Sequence, residues 1–184
     1  MQPIEAVLFL TDGFEEIEAL AVLDILRRGN VCAVSVSLTG GEYVTGSHGI
    51  TVKADMLFDG LDASVNYQMM VLPGGPGTEN YKKNNSLLEL LLSHWQKGGR
   101  LAAICAAPAV LGQLKILNGK TAACHPSKES ELECGLISKA DVVTDGNVTT
   151  SRGAGTAIAF GLELVRLLKG NEKARDAARA MVYK

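Results

Sequence analysis

The sequence predicts an α/β protein with a mostly parallel central sheet covered by helices on both faces. Three observations carry this expectation. Short apolar runs of strand length alternate along the chain with longer amphipathic stretches. The runs are apolar throughout rather than alternating with polar residues, as strands buried on both faces require. Several of them end in glycine-rich turns, where a parallel strand hands over to its crossover helix.

Taken in order, Ile4–Leu10 is the first buried strand, interrupted only by Glu5, and Thr11-Asp12-Gly13 ends it. A helix follows from Phe14 to Arg28, with acidic Glu15-Glu16 in its first turn, Arg27-Arg28 in its last, and Gly29 closing it, all matched to the helix dipole. Val31–Leu38 has strong strand propensity. Tyr43–Thr45 and Ile50–Val52 are short alternating pieces around Gly46-Ser47-His48-Gly49, which places His48 in a surface loop. Gln68–Leu72 is a further buried strand that runs into Pro73-Gly74-Gly75-Pro76-Gly77. Ser86–Lys97 reads as a helix, and Leu101–Ile104 as the central strand that delivers Cys105. A helix then continues to Leu114, and the apolar piece Thr121–Cys124 leads to His125-Pro126. Ser127–Glu133 is compatible with loop or helix. Asp145-Gly146 between Asp141–Thr144 and Asn147–Ser151 is a hairpin signal. Gly153-Ala154-Gly155 opens a long helix to Leu168. It is not read as a dinucleotide fingerprint, because Ile158 holds the third glycine position and the turn comes late. A last helix covers Glu172–Met181.

The chain of 184 residues is long enough for one domain, 1–184, with a substantial core. A hydrophobic fraction of 47% with 21% charged residues is ordinary for a globular protein. A net charge of −2 offers no footprint for nucleic acid or an anionic membrane. No apolar run is long enough to cross a bilayer, and no basic segment precedes the first one, so neither a span nor a secretory leader is expected. The four cysteines, Cys32, Cys105, Cys124 and Cys134, lack C-x-x-C spacing. Reduced thiols in the cytoplasm are expected rather than disulfides or a zinc site, and Cys124-His125 lacks the further ligands a metal needs.

Four features converge on the carboxyl rim of the expected sheet. Cys105 sits between the strand and small residues leading into Pro108, the pattern of a nucleophile elbow. A helix start there would lower the thiol's pKa, although a cysteine at such a place is also an ordinary core filler. Glu18 shares a helical stripe with Val22 and Ile25. It is either a buried acid with a raised pKa or a side chain that snorkels to the surface. Asp24 likewise follows Ile17, Leu20 and Ala21 on one face. Gly74 and Gly75 present backbone N–H groups suited to an oxyanion, or form a tight turn and no more. His125 ends the last of the four runs.

LPGGPG at 72–77, AAICAAPAVL at 102–111, His125-Pro126 and TSRGAGTAIAFGLELV at 150–165 together resemble the ThiJ/PfpI superfamily. DGFEEIEALAVLDILRR at 12–28 resembles its Parkinson-disease-protein deglycase branch. The resemblance implies a flavodoxin-like three-layer sandwich and a homodimer. It assigns Cys105 as the reactive cysteine, Glu18 as the buried acid, His125 as the histidine near the thiol, and Gly74, Gly75 and Ala106 as backbone donors. Glu15 and Asp24 are supporting carboxylates, Asp24 near a subunit interface. Two departures from relatives are His48 in place of arginine and Ala154 in place of proline. Members of the superfamily are glutathione-independent glyoxalases, deglycases, redox-regulated chaperones and sensors, and peptidases. The expectation for this chain is an enzyme acting on 2-oxoaldehydes with no cofactor and no metal. The alternatives are a redox sensor or chaperone and, third, a cysteine peptidase.

Overall fold

The computed structural model describes residues 3–184. Seven strands form the central sheet: β1 (Ala6–Leu10), β2 (Ala33–Ser37), β5 (Met56–Leu57), β6 (Met69–Leu72), β7 (Arg100–Ile104), β10 (Val142–Asp145) and β11 (Val148–Ser151). Their order is β10-β11-β7-β6-β1-β2-β5, parallel throughout except for the edge hairpin β10–β11 at Asp145-Gly146. The hairpin β3 (Tyr43–Thr45)–β4 (Thr51–Lys53) stands apart, as does the pair β8 (Thr121–Ala122)–β9 (Leu136–Ile137).

Alternation along β1 assigns the two faces. Ala6, Leu8 and Leu10 pack with Val22, Ile25 and Leu26 of α1 (Glu16–Arg28) and with Phe160, Leu164 and Val165 of α5 (Ala157–Lys169). Val7 and Phe9 pack the other way, against Tyr81 of α2 (Thr78–Lys83), Leu87 and Leu91 of α3 (Asn85–Gln96), and Val110 and Leu111 of α4 (Pro108–Gln113). Helix α6 (Asn171–Ala180) packs on α5. The result is a three-layer, flavodoxin-like sandwich.

Several expectations are corrected. Thr121–Cys124 does not join the main sheet. Only Thr121–Ala122 is strand, paired with β9; toward the main sheet the N–H groups of Thr121 and Ala123 donate to side chains of the edge hairpin, Asp145 Oδ2 and Thr150 Oγ1, instead of forming a ladder. Ser127–Glu133, compatible with loop or helix, needs no correction: the structure has a 3-10 helix there, Pro126–Glu131. A 3-10 turn, Ala154–Thr156, precedes α5 where a continuous helix was expected from Gly153. Helix α1 starts at Glu16, two residues late, because Glu15 caps it: its Oε2 accepts the Glu18 N–H at 2.7 Å. Asp24 is on the outer face of α1 and pairs with Arg28 at 2.6 Å. The stripe it shares with Ile17 faces outward, Ile17 being 56% exposed, so Asp24 carries no desolvation cost.

Phe160 is fully buried between α1 and the sheet. Phe160→Ala is expected to cost about 3–5 kcal/mol, read as a lower urea midpoint with an unchanged slope.

Candidate functional site

Four adjacent parallel strands, β11-β7-β6-β1, deliver the site. Their carboxyl ends lie on one edge of the sheet. β11 leads into Arg152-Gly153, β7 into Cys105, β6 into Pro73-Gly74-Gly75, and β1 through the 11–15 turn into the first turn of α1 with Glu18.

Cys105 has φ +66°, a left-handed conformation that costs a non-glycine residue about 1–2 kcal/mol. The conformation is pinned from both sides. The Cys105 N–H donates to Ser151 O of β11 at 3.0 Å, and Cys105 O accepts the His125 N–H at 2.8 Å. This is the sharp strand-to-helix elbow expected from the sequence.

Glu18 is 1% exposed. Its Oε2 accepts the Gly74 N–H at 2.8 Å, and the Cys105 thiol is its other hydrogen-bonding neighbour. Its Oε1 is buried without a partner of its own among the described residues. Burial pushes the Glu18 carboxyl up to about 7. The bonds from Cys105 and Gly74 pull it down, and the Glu15 charge pushes it further up. Of the two readings of Glu18, the structure selects the buried acid.

The expected lowering of the thiol pKa is overturned. Burial pushes Cys105 up to about 12, helped by the Glu18 charge, against the opposing pull of the Gly75 and Ala106 N–H groups. The helix behind it, Pro108–Gln113, is too short to offset burial beside a carboxylate. The two groups titrate as a pair. A proton on Glu18 removes the charge that opposes the thiolate.

The glycine turn is more than a tight turn. A Cβ on Gly74 would stand 2.6 Å from Cys105 Cβ and 2.7 Å from Glu18 Oε2, so only glycine lets β6 approach both. Gly75 has φ +92°. The Gly74 N–H is committed to Glu18, so it orients the acid rather than facing an oxyanion. The donors beside sulfur are Gly75 and Ala106.

His125 is exposed. Its Nδ1 accepts the Ser127 N–H at 3.2 Å and lies 2.8 Å from Ser127 Oγ, so the ring caps its own 3-10 turn. That places the proton of the neutral ring on Nε2. The bond to Cys105 runs through the His125 backbone, and the ring is not hydrogen-bonded to the thiol.

His48 is in the surface loop, its side chain 68% exposed, yet it is engaged. Its Nδ1–H donates to Glu16 Oε2 at 2.7 Å and its backbone N–H to Oε1 at 2.7 Å. Burial would raise Glu16, but these bonds hold it at about 2. Glu15, Glu16 and His48 place ligand-type atoms within 4.8 Å of one another. Both Glu16 oxygens are already occupied by the loop, so Glu16 with Ser47 and His48 serves as a clasp on the first turn of α1, while Glu15 caps the Glu18 N–H.

Gly153 is a residue that sequence reasoning missed, having read it only as a helix opener. A Cβ there would lie 3.8 Å from His125 Cδ2, 3.9 Å from Glu18 Oε1 and 4.0 Å from Cys105 Sγ.

The DJ-1/PfpI family matches residues 5–167. The chain belongs to the DJ-1/PfpI family. Among its relatives, protein dj-1beta of Drosophila melanogaster is 37% identical over 180 residues, covering 96% of each chain. The crystal structure of that protein superposes with a TM-score of 0.93 over 97% of each chain, at 35% identity. A Pyrococcus abyssi protein named a deglycase is 29% identical over 168 residues, covering 90% of this chain and all of that one. An oxidized Toxoplasma gondii DJ-1 structure has a TM-score of 0.93 and 31% identity over 98% and 99% of the two chains.

The raised Glu18 has a stability consequence. Its ordinary value is 4.5 and its folded value about 7, so the fold binds the proton more tightly than the unfolded chain does. Stability is full below 4.5 and falls as pH rises through 7. Glu18→Gln, always neutral, is expected to be more stable than the native chain by about 1–3 kcal/mol at pH 8. That gap should close below pH 5 in urea titrations. A gap that does not change with pH would contradict the assigned burial cost.

Proposed function

We propose that this protein is a cofactor-independent cysteine enzyme of the glyoxalase/deglycase type, acting on 2-oxoaldehydes such as methylglyoxal in defence against carbonyl stress. The observation that carries the reading is the buried Glu18 carboxyl touching the elbow thiol, with one buried oxygen unpartnered on the side of Gly153 among the described residues. A carboxyl poised near neutral pH both accepts and returns protons.

Glu18 takes the Cys105 proton, and the resulting neutral acid no longer repels the thiolate. Sulfur attacks the aldehyde carbon: the S–C bond forms, the C=O π bond opens, and the oxygen gains a proton to give a hemithioacetal. The Gly75 and Ala106 N–H groups stabilise the transient oxyanion. Glu18, having given its proton to that oxygen, removes the proton from the former aldehyde carbon and passes it to the ketone oxygen, so that an enediol forms across the two substrate carbons. The hydroxyl on the sulfur-bearing carbon then gives up its proton as its C=O re-forms, the neighbouring carbon gains one, and a thioester is left. Water cleaves it, releasing a 2-hydroxy acid and the thiol. The aldehyde carbon is oxidised and the ketone carbon reduced, so no external oxidant or reductant enters. Glu15 supports Glu18 through the cap on its N–H. His125, with Nε2–H directed away from its cap, contributes at most an auxiliary proton.

The deglycase name of the Pyrococcus relative supports the same chemistry on an early aldehyde adduct. The second reading is a redox sensor or chaperone. Peroxide would transfer one oxygen to the Cys105 thiolate, hydroxide leaving, to give the sulfenic acid, a second peroxide would take it to the sulfinic acid, and protonated Glu18 would hydrogen-bond either product. The oxidized Toxoplasma structure supports keeping this alternative. A peptidase would need a Cys–His pair oriented by a third group, and the His125 ring bonds Ser127 instead.

We read residues 1–184 as one functional unit, a homodimer in which a second copy covers the outward stripe of α1 at Ile17, near Asp24. We place it in the cytoplasm, where cysteines not joined in disulfides are chemically at home. No helix of the described residues is long and apolar enough to cross a membrane.

Methylglyoxal consumption without glutathione tests the enzyme. Cys105→Ser is expected to abolish it, and Glu18→Gln to lower kcat by about 10²–10⁴-fold, the usual worth of a general acid–base group. His125→Ala should retain most of the rate. Equal rates for the native chain and Cys105→Ser would sink the mechanism. Limited peroxide followed by peptide mapping tests the sensor, which requires oxygen to add to Cys105 well before Cys32, Cys124 or Cys134.

A further inference from the structure

The glycine at 153 has no backbone reason to be one. Its φ of 162° is extended backbone that any residue adopts. Nor does a clash exclude a side chain, since a Cβ would meet its three nearest atoms at ordinary van der Waals distances of 3.8–4.0 Å. Those three atoms are Cys105 Sγ, Glu18 Oε1 and His125 Cδ2, the nucleophile, the unpartnered buried oxygen and the edge of the histidine ring. Gly153 thus borders both reacting groups at once. It differs from Gly74, where a methyl would collide with the same cysteine and glutamate. Gly74 is needed for packing, whereas the bare Cα of Gly153 leaves space.

That space is of a definite kind. A side chain at 153 would begin 4.0 Å from Sγ, in contact with it, so its absence leaves uncovered a face of sulfur from which a carbon can approach. The carbon bonded to sulfur must also keep its hydrogen in reach of Glu18 Oε1, so the rest of the substrate turns toward Gly153. There it meets the edge of His125 beside the Glu18 carboxyl, which disfavours a negatively charged substituent.

We propose that Gly153 is the specificity-determining residue of this site, and that its missing side chain makes room for the substituent on the ketone carbon of a 2-oxoaldehyde. The site then takes substituted 2-oxoaldehydes, with a methyl or a larger uncharged group, and does not depend on the bare two-carbon compound. Gly153 acts by volume alone and takes no part in proton transfer. This inference rests on the aldehyde chemistry proposed above for its substrate, but not for its geometry.

The test compares Gly153→Ala and Gly153→Val with the native chain in two assays. In the first, kcat/KM is measured for glyoxal, methylglyoxal and phenylglyoxal. Gly153→Ala is expected to leave glyoxal within about threefold and to lower phenylglyoxal by about tenfold or more, the usual range for one methyl group in a fitted pocket. Methylglyoxal should fall between them, and Gly153→Val should widen the spread. In the second assay, Cys105 is alkylated by small iodoacetamide and bulky N-ethylmaleimide, and modification is read by peptide mass. Both substitutions are expected to slow the maleimide selectively. A selectivity unchanged across the three aldehydes, or both alkylating agents slowed by one common factor, overturns the role of Gly153. If the native chain turns over none of the aldehydes, the enzyme reading fails, and the alkylation ratio still decides whether Gly153 sets the volume beside sulfur. Circular dichroism and melting of each variant separate a filled pocket from a damaged fold. Gly153→Ala, which meets no clash, keeps the comparison interpretable if the valine variant is unstable.

Discussion

The contact on which the site depends is the buried Glu18 carboxyl between the Gly74 N–H and the Cys105 thiol. A carboxyl this deep is costly in its charged form unless it is well bonded. One backbone donor at 2.8 Å and a thiol leave Oε1 unsatisfied. The carboxyl therefore holds its proton up to about 7. The same burial raises the thiol. Stability is given up in order to keep two groups poised to exchange a proton, a common arrangement where a buried group serves chemistry.

The surrounding structure over-determines this arrangement. Cys105 is held in a left-handed conformation by bonds to β11 on one side and to the His125 backbone on the other. Glu18 is held by its own cap, since Glu15 accepts its N–H and donates its own N–H to Gly74 O at 3.0 Å. The first turn of α1 is clasped again by the loop at Ser47 and His48, whose donors saturate Glu16. Strain at one residue persists because neighbouring elements leave it no alternative. The glycine turn serves two purposes here. Gly74 admits close approach of the cysteine and acid, while the Gly75 N–H faces sulfur.

Membership of the DJ-1/PfpI family accounts for the fold and for the elbow, which the motifs at 72–77, 102–111 and 150–165 already signalled. The motifs were less informative about partners within the site. Gly74 resembled an oxyanion donor and proved to bond Glu18. His125 resembled a thiol partner, but its ring bonds Ser127. In both cases the residue was correctly placed near the cysteine, and the direction of one hydrogen bond changed what it does.

The sequence by itself determined the alternation of strand and helix, the burial of the strands on both faces, the hairpin at Asp145-Gly146 and the candidacy of Cys105 and Glu18. These follow from local periodicity and turn chemistry, which act over a few residues. Tertiary structure alone decided that Asp24 faces outward while Glu18 faces in. Both share helical stripes with apolar residues, and only the packing of α1 against β1 and α5 distinguishes the stripes. It also decided the thiol's proton affinity, because burial and the Glu18 charge come from segments far apart in the chain and outweigh the local N–H groups. Finally, it gave Gly153 its place beside sulfur: the order β11-β7-β6-β1 brings together four chain segments that no spacing rule connects.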